Sequence, residues 1–303
     1  MSLNSINTNI GAQVALASLN STNTQLQASQ KRISTGLRVA DATDDGGAYA
    51  IAQRVRSDVG ALTSSNEQLG NAKGLVSTAV TALGKISDSI NTAKTLLVKI
   101  GDNSIAQDQR DQYVASYKSL VSQVADYVDG STYNGQTLLG KVAGGPTAGT
   151  GRTVIGSETG STLSISDADN SGLANTLAGL IGSTFSRSAS GVDSFGTVTS
   201  SASQTAAATA LTATSGTTAF SAALKGVADQ LNQTGADSNR LDATIAFNSS
   251  KIDSLNAGMG ALIDTDLSKE SAKLQALQIK QQLGTQSLSM ANQAPQALLS
   301  LFK

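Results

Sequence analysis

The sequence predicts a mainly α protein, with long helices in a coiled-coil or helical-bundle arrangement and one small β-hairpin region. Three observations predict it. From Ile263 to Phe302 a seam keeps heptad register, stepping by alternate fours and threes through Leu267, Glu270, Leu274, Leu277, Gln281, Gly284, Leu288, Ala291, Pro295 and Leu298. At the other end Ala12, Leu16, Leu19, Asn23, Leu26, Gln30, Ile33 and Leu37 repeat the same steps, with Leu3, Ile6 and Ile10 extending the apolar face upstream. The third is a turn-rich interval from Thr153 to Ile165 flanked by β-prone runs. A narrow apolar stripe on a polar helix needs a partner to cover it, so two such stripes predict terminal helices that lie together. Asn23, Gln30 and Gln281 on the seams weaken that pair and point to specific contacts made mainly in an assembly.

Composition favours an elongated, assembling chain. Hydrophobic residues make 39% of the 303, but aromatics only 3%, Trp is absent and many apolar positions are Ala. Small side chains bury little area each, so stability must come from many thin helix contacts and from neighbouring subunits. Lys plus Arg (21) nearly cancels Asp plus Glu (22), and no basic stripe exists to follow a phosphate backbone, so no nucleic-acid partner is expected. The chain has no Cys and no His, which rules out a Ser-His-Asp triad, a thiol nucleophile and any His- or Cys-ligated metal. A Ser-x-x-Lys match exists only at Ser300 to Lys303 and is chance. No catalytic residue, metal or cofactor is expected. The first ten residues lack the basic and apolar regions of a signal peptide, and no ~18-residue apolar run occurs, so neither membrane insertion nor a cleaved leader is expected.

Taken in order, the first helix breaks at Gly36 and the run Asp41-Ala-Thr-Asp-Asp-Gly-Gly47. The alternation and closing Glu of a calcium loop are missing, so this reads as a structured turn in which Arg38 pairs with Asp41, Asp44 or Asp45. Helical periodicity resumes from Ala48 through Leu62, Leu69, Val76, Leu83, Ile90 and Leu97 to a stop at Gly101. Asp108 to Val128 predicts another helix with Tyr113, Tyr117, Leu120, Val124 and Tyr127 on a core face, ending at Gly130. The Gly-rich run 144–151 lacks the Lys and helix start of a phosphate loop and reads as a flexible connector. Thr153 to Ile155 and Thr162 to Ile165 flank Gly156-Ser-Glu-Thr-Gly160, which suits a hairpin with a longer loop. From there to Thr218 the Ser-, Thr-, Ala- and Gly-rich chain reads as a disordered linker, a helix of modest stability or an exposed decorated surface. Helical pattern returns over Ala219 to Leu255, and a Gly258-Met-Gly260 joint leads into the last seam. The expected division is therefore 1–40 with 263–303, 41–140 with 219–262, and an exposed 141–218.

The two ends resemble bacterial flagellin. Ser5-Ile-Asn-Thr-Asn9, Gln30-Lys-Arg-Ile-Ser-Thr-Gly-Leu-Arg38, Asp44-Asp45 and Ala50-Ile-Ala52 carry the likeness at the N-terminus. Ser271-Ala-Lys-Leu-Gln275, Gln281-Gln-Leu-Gly-Thr-Gln286 and Ala291 through Phe302 carry it at the C-terminus, and Tyr133-Asn-Gly135 stands where the family has Phe-Asn-Gly. The resemblance implies an inner coiled-coil domain of the two terminal helices lining a filament channel, surrounded by an outer helical domain with a β-hairpin. It implies a short form with no large outer domains. It further implies self-assembly into a helical polymer, alone or mixed with related flagellins. An export chaperone and apparatus would deliver the chain outside the cell, and cap and junction proteins would meet it there. The family's innate-immune recognition stretch falls at Ile90 to Lys99, where Thr92 and Thr95 replace the expected Arg and Glu, which puts that recognition in doubt. A hook-filament junction protein shares similar terminal helices and is the structural alternative. A secreted membrane-active protein is the alternative of another class, and it would need the basic flanks and bulky aromatics this chain lacks.

Overall fold

The computed structural model describes residues 9–145, 147–213 and 220–301, and of residues 294–301 the backbone alone. In chain order the elements are α1 (Ile10–Thr35), α2 (Gly46–Gly101), α3 (Gln107–Gly130), β1 (Thr132–Tyr133), β2 (Gln136–Thr137), β3 (Arg152–Ile155), β4 (Thr162–Ile165), α4 (Leu173–Gly179), β5 (Phe185–Arg187), β6 (Asp193–Phe195), α5 (Ser200–Thr212), α6 (Phe220–Ile263) and α7 (Leu267–Leu301). The strands form three separate antiparallel hairpins. The fold is mainly helical, as the seams predict. It divides into one unit of residues 1–59 with 253–303 and a second of residues 60–252.

The second unit owes its core to α2. Leu62, Leu69, Val76, Leu83, Ile90 and Leu97 recur every seven residues and are all fully buried, the coiled-coil spacing that keeps one stripe of a helix against its partners. Tyr117, Val124 and Val128 of α3 meet this core, and the Tyr117 hydroxyl donates to the Leu177 carbonyl at 2.9 Å. The expected tyrosine row is therefore core. Thr132–Tyr133 turns back at Asn134 and Gly135, with φ of 51° and 72°, the pair of positive angles that a two-residue hairpin turn requires. The Tyr133 ring lies over Gly74, where an added Cβ would come within 2.6 Å of the ring.

The hairpin expected at 153–165 forms, with Arg152 opposite Ile165 and Ile155 opposite Thr162. Three other expectations need correcting. The Gly-rich run is packed: a Cβ at Gly149 would sit 1.8 Å from the Leu138 carbonyl oxygen, and Lys141 and Thr147 exchange backbone bonds of 2.9 and 2.8 Å. Its glycines allow backbone to lie against backbone.

Of the readings left open for the segment beyond the hairpin, the helical one fits α4 and α5, and the segment is more than a decorated surface, since Leu173, Leu177, Leu180, Ile181 and Phe185 are buried in the main core and α5 buries Ala207 and Ala210. A few well-spaced large residues anchor a segment whose average composition is polar. Arg187, with its side chain 5% exposed, reaches Asp126 at 2.8 Å, Asp129 at 3.1 Å and Asp193 at 2.5 Å, fixing the β5–β6 hairpin to α3. Finally, α6 runs unbroken through Gly258 and Gly260 to Ile263, because an interior Gly costs a helix only about 1 kcal/mol.

In the first unit the break falls later, at Asp264-Thr-Asp266. Asp266 accepts from the Ser268 and Lys269 amides at 2.9 and 3.1 Å and so starts α7. The seam expected as one run from Ile263 is thus divided between two helices.

Candidate functional site: the paired terminal helices

Asn9 caps α1 by accepting from the Ala12 amide at 3.0 Å, and its amide nitrogen donates to the Ala291 carbonyl at 2.7 Å on α7. Further along, Gln281 donates to Asn23 at 2.8 Å, and the Ser29 hydroxyl donates to the Glu270 carboxylate at 2.8 Å. Residue numbers rise along one helix as they fall along the other, so α1 and α7 run antiparallel. Gly284 permits close approach, since a Cβ there would lie 3.2 Å from a methyl of Leu19.

On α7 the sheltered positions are Glu270, Leu274, Leu277, Gln281, Gly284, Leu288 and Ala291, every one a position of the expected seam. Along α1 the pattern shifts. Leu19, Leu26 and Ile33 are half-buried, while Leu16 and Gln30 are exposed and Ala15 and Ser29 take the sheltered places beside them. Small residues suit the close contact, and a reading guided by large apolar residues passes over them. Ile10 and Leu267 are exposed, and Leu37 and Ile263 belong instead to the small core of the turn. Leu3, Ile6 and Phe302 lie outside the described residues, as does the Leu298 side chain.

The turn joining α1 to α2 is built on Lys31, which the sequence reading missed. Its ammonium reaches Asp41 at 2.5 Å and Asp44 at 3.0 Å. These bonds raise the Lys31 pKa. The Lys31 ammonium, with the Thr43 hydroxyl and amide, holds the Asp41 carboxyl well below the usual carboxylate range. Asp44 is lowered by Lys31 and by the Ala40 amide. Asp45 caps α2, accepting from the Ala48 amide at 3.0 Å. Arg38, expected to pair with these carboxylates, instead donates to the Leu262 carbonyl at 2.5 Å. Proximity in sequence favoured Arg38; the antiparallel course of chain 36–39 against 263–265 turns it the other way. Leu37 bridges Asp264, the Arg38 amide donates to the Ile263 carbonyl at 2.7 Å, and the Thr265 amide donates to that of Gly36 at 3.0 Å. Val39, Ala48, Ala52 and Ile263 close the small core beneath.

The outward faces of the pair are apolar without cover. Val14, Ile279, Leu283 and Met290 are 64%, 58%, 57% and 65% exposed. Burying one such side chain is worth roughly 1.5–3 kcal/mol, so these faces can drive association. Among the described residues no helix is long and apolar enough to cross a membrane.

Comparison with known proteins agrees at both ends. The bacterial flagellin N-terminal helical region matches residues 6–143, and the bacterial flagellin C-terminal helical region matches residues 217–302. Flagellin FljM of Caulobacter vibrioides is 34% identical over 100% of both chains. Flagellin FljK of the same organism is 33% identical over 100% of both, and a flagellin of Brucella melitensis biotype 1 is 34% identical over 99% of each.

Proposed function

The chain belongs to the bacterial flagellin family, and from that premise we propose how this subunit assembles. It is a structural subunit of the extracellular flagellar filament and self-polymerises; motility is what its family implies. In the proposed arrangement residues 1–40 and 263–303 form the inner domain and 41–140 and 219–262 the helical outer core, with 141–218 the segment that carries the β-hairpin. The seam residues from Leu3 to Leu37 and from Ile263 to Phe302 contribute the contacts within and between subunits. Arg38, Asp41, Asp44 and Asp45 belong to the turn that joins the inner domain to the rest.

The single observation that carries this reading is the set of exposed apolar side chains on the α1–α7 pair, left open in the lone chain on helices that fall within the two matched flagellin regions. We infer that the protein does no catalysis and needs no cofactor. It would leave the cell through the flagellar export apparatus, handed on by a chaperone, and meet cap and junction proteins outside.

Leu288→Asp tests the seam, because it places a charge at a half-buried position of the pair. Purified wild-type chain diluted onto filament fragments should give smooth tubes with a narrow channel in electron micrographs. The variant should give none while keeping the circular dichroism of the second unit. Normal filaments from Leu288→Asp would remove the seam from assembly.

A further inference from the structure

The second unit holds a groove of about 290 Å³ that its own fold leaves empty. Its floor is α2, with Gln68, Asn71 and Leu75; one wall is Tyr133 of the β1–β2 hairpin and the other is Arg152 and Val154 of β3. Both walls are fixed before anything arrives. Tyr133 is set by the tight Asn134–Gly135 turn and by the absent Cβ of Gly74. Arg152 is held by four residues of register with β4, and Ser65 anchors the end of β3 by donating to the Ile155 carbonyl at 2.6 Å.

Arg152 is the unusual member. Its Nε is shut off from solvent and has no hydrogen-bond partner, and it forms no ion pair among the described residues. A donor shut off from solvent with no partner is unfavourable in the free subunit. By contrast Arg187, on another hairpin of the same unit, has three carboxylates around it. Nε is closed to solvent and so to any occupant, whereas the terminal nitrogens are not among the buried unpartnered atoms and Arg152 lines the groove, so an incoming acceptor meets the outer end of the guanidinium. Guanidinium takes a carboxylate best, through two parallel bonds, and the surrounding carboxamides of Gln68 and Asn71 add donors beside it. The volume suits one or two side chains rather than a cofactor.

We propose that this groove receives a carboxylate side chain of a second copy of the chain, so that Arg152 forms an ion pair between subunits. The inference rests on the filament reading. A second copy is the favoured occupant because the chain carries complementary surplus groups: Glu67, Asp88 and Asp108 are exposed and join no ion pair among the described residues. With 21 cationic and 22 anionic side chains overall, each copy presents both halves of such a pair. The exposed edge of Tyr133 gives the contact an apolar rim.

The test is seeded polymerisation of full-length Arg152→Met beside wild type, with the critical concentration and the melting temperature of the monomer measured for each. Met keeps the stem and removes the orphaned donor. The monomer should therefore melt at the same temperature as wild type or higher, while the critical concentration rises about tenfold, the change expected for losing one well-placed pair. Added salt should raise the wild-type critical concentration and leave that of Arg152→Met nearly flat. A wild-type critical concentration in the variant overturns the proposal. So does a monomer that melts lower, which assigns Arg152 to its own fold. Should wild type itself fail to extend seeds, the filament reading falls instead.

Discussion

Gly149 and Lys31 show what single residues decide. A Cβ at Gly149 would meet Leu138 backbone, which no side-chain rotation relieves. Gly149→Ala should destabilise the second unit by about 3 kcal/mol, the upper range for overpacking, and denaturant unfolding of the two proteins measures it. Composition pointed to a loose connector there, because glycine used for flexibility and glycine used for close approach look alike in a sequence. At the turn, Asp41 and Asp44 have folded pKa values below their unfolded ones. Their contribution is therefore present above the unfolded carboxylate value, about 3.9, and is lost as pH falls through the folded values. Amides of residues 38–48 should lose protection below about pH 4, and Lys31→Met should abolish that step. An unchanged pH profile in the variant would show that Lys31 does not hold the turn.

Among elements, the terminal pair tests how polar groups set register. Asn23 and Gln281 face each other at half-buried seam positions, and Ser29 meets a Glu270 that is 7% exposed, with Lys273 at 3.6 Å and Arg32 at 4.0 Å. Sliding the helices by one turn would separate these partners, which apolar contacts alone would tolerate. A double-mutant cycle over Asn23→Leu and Gln281→Leu should give a coupling of about 0.5–1.5 kcal/mol, with the double variant at least as stable as either single. Zero coupling would deny the pair a role in register.

The α7 seam was legible because its sheltered positions repeat at the coiled-coil period. Part of the α1 seam was not, since Ala15 and Ser29 carry no apolar signal of their own. The β3–β4 hairpin was legible from its turn residues. In α5, by contrast, Ser200, Ser203, Ala207 and Ala210 form the buried face, and nothing in such small side chains distinguishes a packed helix from a solvated one.

At the scale of the molecule the two units differ in what holds them. Residues 60–252 enclose a continuous core of large side chains around α2. The terminal helices share a thin, partly polar seam and leave large apolar residues open on the outside. Under the proposed assembly such a pair should open at little cost in the lone subunit and gain its stability from neighbours. The pairing of α1 with α7 was legible from the two matching seams. The arrangement of residues 166–213 was not, because its anchors are few and their partners are distant in sequence.

Amide hydrogen exchange on the same protein as monomer and as filament tests the central claim most directly. Residues 10–35 and 267–301 should exchange fast in the monomer and slowly in the filament, with α2 protected in both. Strong protection of the terminal helices in the monomer, unchanged on polymerisation, would contradict the account.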